Sequence, residues 1–191
     1  MNKNRVLLIA EHDNQVMYSV TLNTMTAAMA CGDSISILVA GQACEDIAQQ
    51  AAEIDGVSEV LCADDQAYGR HLAENCAALI ATIGKDYDYI LAPATTFGKN
   101  SLPRAAALLN VAQISDVIEI ISADTFMRPI YAGNALVTVQ SLEPIKVMTV
   151  RPTAFKAAQF GQKSVSIKHL SEHHDVKLSQ FIELNKTVSE R

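Results

Sequence analysis

The chain has 191 residues, 49% of them hydrophobic, with 15 basic and 21 acidic side chains and a net charge of −6. That is enough for one sizeable α/β core and a tail, and too apolar for a disordered chain. The negative balance excludes a general nucleic-acid surface, which needs a basic stripe, and no apolar run approaches the roughly 20 residues of a membrane span.

The first half alternates strand and helix. Val6-Leu7-Leu8-Ile9-Ala10 is a continuous apolar run, expected of a strand covered on both faces. It is too short for a signal-peptide core and runs into Glu11-His12-Asp13. Asp13 or Asn14 is placed to cap a helix over 16–30, which Gly32 ends. A strand over 35–40, a helix over 44–54 and a strand over 57–62 follow. Asp64 and Asp65 lead into a helix over 68–83 that carries Leu72, Cys76, Leu79 and Ile83 on one face, and Gly84 closes it. Residues 87–92 form the fourth strand. This order predicts a parallel sheet with right-handed crossovers and helices on both faces.

After a helix over 102–109 the rhythm changes to short strands near 117–121, 126–131, 136–140 and 147–150. Gly133-Asn134 marks a hairpin and Glu143-Pro144 another turn. An antiparallel extension of the parallel sheet is expected. Residues 159–163 read as a loop, 165–167 as a short strand and 178–184 as a short amphipathic helix. Cys31, Cys44, Cys62 and Cys76 are widely spaced and sit among Ala, Val and Leu. That is the pattern of buried free thiols in a reducing, cytoplasm-like compartment.

The loop from Thr95 to Asn100 falls between a strand and a helix, where open α/β sheets bind ligands. Thr95, Thr96, Gly98 and Lys99 are its candidate anion or cofactor contacts, although the Walker spacing is absent. The same residues fit a capped turn, with Asn100 and Ser101 capping the helix and Pro103 in its first turn. Glu11-His12-Asp13-Asn14 follows the first strand on the same edge; His12 and Asp13 are candidates for an acid/base pair or for metal ligands, too few for a structural metal, or, more simply, for a helix cap with an exposed histidine. His169-Leu170-Ser171-Glu172-His173 matches a zinc-protease pattern formally, but the segment is polar with no helix cap, so no metal site is expected. No catalytic residue is assigned: there is no G-x-S-x-G elbow and no cysteine in an electropositive setting. Arg128, Tyr131 and Asn134 lie near the hairpin turn, on strands at a sheet edge, and are the candidate partner contacts.

Three ordered pieces carry a family resemblance: Ala92-Pro93-Ala94-Thr95-Thr96-Phe97-Gly98-Lys99-Asn100, Gln113-Ile114-Ser115-Asp116 and Arg128-Pro129-Ile130-Tyr131-Ala132-Gly133-Asn134-Ala135. Val147-Met148-Thr149-Val150-Arg151, followed by Ala154-Phe155, extends it over most of residues 4–158. The chain resembles the N-terminal domain of the electron transfer flavoprotein alpha subunit. The resemblance implies a Rossmann-like three-layer αβα domain over 1–158, similar to adenine nucleotide alpha hydrolases, and a tail and linker over 159–191 toward an FAD domain that this chain lacks. It implies an electron carrier and not a classical enzyme. Such a carrier pairs with a beta subunit as a heterodimer in the bacterial cytoplasm. Its FAD takes electrons from dehydrogenases, such as those of fatty acid beta-oxidation, to a membrane quinone oxidoreductase. This chain alone would be neither catalytic nor flavin-loaded, nor membrane-embedded. In the family the AMP-type site belongs to the beta subunit's related domain. The alternative is an adenine-nucleotide-binding or stress-type domain using the loop from Thr95 to Lys99.

Overall fold

A computed structural model describes residues 4–183 and Asn185. Its frame is a seven-stranded sheet in the order β10-β3-β2-β1-β4-β9-β5, in which every pairing is parallel. The strands are β1 (Arg5–Ile9), β2 (Ser34–Gly41), β3 (Glu59–Asp64), β4 (Tyr89–Pro93), β5 (Gln113–Val117), β9 (Lys146–Val150) and β10 (Ile167–His169). A separate antiparallel sheet contains β6 (Glu119–Ile120), β7 (Thr125–Ile130) and β8 (Ala135–Gln140), in the order β6-β7-β8. Four helices complete the fold: α1 (Val20–Cys31), α2 (Glu45–Ala52), α3 (Ala73–Gly84) and α4 (Thr96–Leu109).

The apolar run of β1 is divided between two cores. Val6 and Leu8 pack with α1, α2 and Phe126 of the small sheet, while Leu7 and Ile9 pack with α3 and α4. Alternate side chains of a strand leave on opposite faces, so a strand buried on both sides must be apolar throughout. Helices therefore cover both faces, as the strand-helix alternation predicts. No helix among the described residues is long and apolar enough to cross a membrane.

Several expectations are corrected. The first helix begins at Val20 and not near 16, because Asp13 accepts from the N–H groups of Gln15 and Val16 in a tight turn closed by a His12–Met17 bridge. The predicted helix over 68–83 is split. Asp65 caps a single 3-10 turn, Gln66–Tyr68, and His71 takes a positive φ of 48° before α3 starts at Ala73. The helix placed at 102–109 starts six residues earlier. Thr95 and not Asn100 or Ser101 is its cap, and Pro103 lies in its interior, where it lacks the N–H that would bond the carbonyl four residues back.

Residues 113–117 form a parallel edge strand that their polarity concealed, and β9 returns to the parallel sheet, so the antiparallel part is a small sheet of its own. The strand read at 165–167 falls at Ile167–His169, beside β3. No helix forms over 178–183, and Leu184 lies outside the described residues.

Candidate functional site

The strand order turns at β1 and β4: β2 and β3 lie to one side of β1, and β9 and β5 beyond β4. Ligands of open α/β sheets bind at the carboxyl ends of the strands where the order reverses. Here that crevice is bridged. Glu11, just past β1, receives a hydrogen bond of 2.6 Å from the Thr95 hydroxyl, just past β4. The Thr95 oxygen also accepts from Gly98 N–H at 3.3 Å, so one hydroxyl caps α4 and ties the two strand ends together. Burial raises the Glu11 pKa, and the Thr95 hydrogen bond partly offsets the rise.

Behind this bridge the crevice is filled by rings. His12 meets His71 edge-on at 4.8 Å, and His71 meets Phe97 at 5.9 Å. What remains is a cavity of about 140 Å³ lined by Ala10, Glu11, His12, Tyr18, His71 and Phe97. Small-molecule sites usually enclose roughly 300–1,000 Å³. His12 is buried and not the exposed histidine expected from the sequence. Its Nδ1 accepts from Asn14 N–H at 3.1 Å, which leaves the proton on Nε2. The Nε2 atoms of His12 and His71 are buried and make no well-formed hydrogen bond, although the Ala40 carbonyl lies near enough to both to favour their protonation slightly. Burial, reinforced by His71, lowers the His12 pKa to about 4. Burial lowers that of His71 as well.

The loop candidates divide by role. Thr95 and Gly98 are held in the cap, and a side chain at Gly98 would collide with the Pro93 carbonyl oxygen. Glycine is therefore required there for close packing of the helix start on β4. Thr96 and Lys99 are exposed on the first turn of α4. Lys99 enters no ion pair among the described residues.

The hairpin candidates also divide. The Arg128 Nε donates to the Ser115 carbonyl at 2.8 Å and so fastens the small sheet to β5. Tyr131 and Asn134 stand at the exposed tip, with Tyr131 78% exposed. The turn between β7 and β8 takes positive φ at Tyr131, Ala132 and Gly133. β8 is an edge strand with Leu136, Thr138 and Gln140 exposed. Edge strands of this kind accept a further chain.

Sequence reasoning gave no role to Asp116 and Arg151. They form a two-pronged ion pair that joins the ends of β5 and β9, with Arg151 Nε donating to Asp116 Oδ1 at 3.1 Å and Nη2 to Oδ2. Asp116 sits in an irregularity of β5 at φ 61°. No sequence signal marked the pair, since the backbone of Asp116 and the pairing of β5 with β9 appear only in the fold.

The histidines of the 169–173 motif separate in space. His169 ends β10, 3.7 Å from Glu45, whereas His173 lies in a loop, 2.9 Å from Asp65. All four cysteines are buried and free. The sequence spacing hid one pairing: the Cys44 and Cys62 thiols are close enough to shift each other's titration, Cys44 upward and Cys62 downward.

A family profile described as "Electron transfer flavoprotein domain" matches residues 6–174. The chain is 50% identical over 186 residues to the electron transfer flavoprotein subunit alpha of Pseudomonas aeruginosa, covering 97% of this chain and 60% of that one. It is 48% identical over 157 residues to the Paracoccus denitrificans subunit alpha, covering 82% of this chain and 51% of that one. The mitochondrial subunit alpha of Dictyostelium discoideum is 47% identical over 160 residues, covering 80% and 45%. The chain therefore spans about half the length of these relatives.

Proposed function

The chain belongs to the electron transfer flavoprotein family, among its alpha subunits, and on that premise we propose that it is the scaffold and heterodimerisation domain of an electron carrier. The observation that carries this reading is the closed crevice. The Glu11–Thr95 bridge and the rings of His12, His71 and Phe97 occupy the place where a nucleotide would enter, leaving about 140 Å³. The nucleotide-binding alternative is not favoured. The flavin that the family name implies, which we take to be FAD, would be held by a part of the subunit beyond this chain, and Tyr131, Asn134 and the β8 edge would meet an electron transfer flavoprotein beta subunit. The complete heterodimer would collect electrons from dehydrogenases, including those of fatty acid beta-oxidation, and deliver them to a membrane quinone oxidoreductase from the bacterial cytoplasm. The chemistry of transfer is the flavin's; this domain supplies orientation and assembly.

A direct test incubates the purified chain with FAD, passes it through gel filtration and records the visible spectrum. The expected eluate is colourless, while the same chain mixed with a beta subunit elutes as a heterodimer. A stoichiometric flavin band on the chain alone would place the cofactor in this domain and overturn the reading.

A further inference from the structure

Three ligand-type side chains from separate elements converge at one edge of the parallel sheet. Glu45 opens α2, Cys62 lies in β3 and His169 ends β10. One ligand atom from each lies within 4.8 Å of the other two. The Cys62 sulfur is 3.9 Å from Glu45 Oε2, and His169 Nδ1 is 3.7 Å from the same oxygen. Zinc bonds of about 2.3 Å to sulfur and about 2.0–2.2 Å to nitrogen or oxygen place tetrahedral ligand atoms roughly 3.3–3.6 Å apart. The two measured separations are a few tenths of an ångström longer than that. His169 and Glu45 are open to solvent, so their side chains can rotate inward.

We propose that Glu45, Cys62 and His169 form a zinc-class divalent cation site, completed by a water, that clamps β10 to the sheet. The donor set decides the metal. A thiolate with an imidazole disfavours Mg²⁺ and Ca²⁺, which take oxygen ligands, and suits Zn²⁺. On binding, the Cys62 proton leaves to solvent, neutral His169 gives its ring nitrogen, and Glu45 gives a carboxylate oxygen. The site would tie three separate elements together. β10 has only three residues on β3, and Leu170 N–H adds one bond to the Cys62 carbonyl. A metal there would hold the end of this short strand. The inference is independent of the electron-carrier reading.

The test uses the 191-residue chain, kept reduced, stripped with a chelator and titrated with Co²⁺ and then Zn²⁺. The expected result is one equivalent of Co²⁺ giving a thiolate-to-metal charge-transfer band that Zn²⁺ displaces, with a Zn²⁺-dependent rise in Tm. His169→Ala, at an exposed position, and Glu45→Gln, at a half-buried one, are expected to weaken binding by at least about tenfold. His173→Ala is expected to leave it unchanged. Cys62→Ser should abolish the band, but Cys62 is buried, so the two surface variants decide the matter if that protein fails to fold. No thiolate band at one equivalent, an unchanged band in His169→Ala, or binding that is lost in His173→Ala would each overturn the proposal.

Discussion

His12 is held neutral by its surroundings. Burial and the neighbouring His71 bring its pKa to about 4, against an ordinary value of 6.5. The unfolded chain therefore binds a proton between those two pH values that the folded chain refuses. Stability is fully present above about pH 6.5 and falls as the pH drops toward 4, by up to roughly 3 kcal/mol from this residue. His71 acts in the same direction. Glu11 acts in the opposite direction, since its raised pKa favours the folded chain at low pH and weakens it as the pH rises through the folded value. The check is the urea midpoint of the chain and of His12→Asn between pH 7 and 4. Asparagine keeps an acceptor for Asn14 N–H but does not titrate. The variant is expected to show a shallower loss on acidification; an identical slope would show that His12 is not the titrating group.

Among the elements, the small sheet presents exposed apolar side chains at its tip and along its edge. Its inner side is anchored by fully buried Phe126 and by Arg128 on the Ser115 carbonyl. Its outer side presents Tyr131 and, at 60% exposure, Leu136, next to an unpaired edge. Aromatic and aliphatic anchors of this kind carry most of the energy in an interface. Tyr131→Ala with Leu136→Glu is expected to lower affinity for the beta subunit by more than about tenfold, roughly 1.4 kcal/mol. The Tm of the isolated chain should stay nearly unchanged, because both side chains are exposed. Calorimetric titration and thermal melts measure the two quantities. Retained affinity would move the interface elsewhere; a large fall in Tm would show that the pair supports the fold.

For the whole molecule, the instructive segment is 159–170. Its sequence reads as the start of a tail after a domain ending at 158, yet its backbone is stitched into the sheet. Asp55 N–H donates to the Gln159 carbonyl, Gly161 N–H to that of Glu53, Val165 N–H to that of Ala52 and Val60 N–H to that of Ser166. Val165 and Ile167 pack against the core on the α2 side, and the family match runs to residue 174. A chain ended at 158 is expected to lose on the order of 2–4 kcal/mol relative to one ended at 175, from two half-buried aliphatic side chains and several backbone bonds. At this size that is a fall in Tm of about 5–15 °C. Equal melting temperatures would support the boundary at 158.

The continuous apolar run at 6–10 and the alternation of strands at 35–40, 57–62 and 87–92 with helices pointed to the parallel sheet from sequence alone, because parallel strands need crossover helices between them. The Gly133-Asn134 pair announced the hairpin, although the positive φ values fall at Tyr131, Ala132 and Gly133 and not at Asn134. The ordered motifs around Thr95, Asp116 and Tyr131 carried the family. What the sequence could not determine were the contacts made across the sheet. Whether Thr95 serves a ligand or a cap depends on Glu11, 84 positions away, and its hydroxyl is committed to Glu11 and Gly98. Whether His12 is exposed depends on His71 and Phe97. The grouping of Cys62 with Glu45 and His169 required β10 to pair with β3. Local pattern records burial and chain reversal, which neighbouring residues decide; a site is a meeting of distant side chains, and only the tertiary fold brings them together.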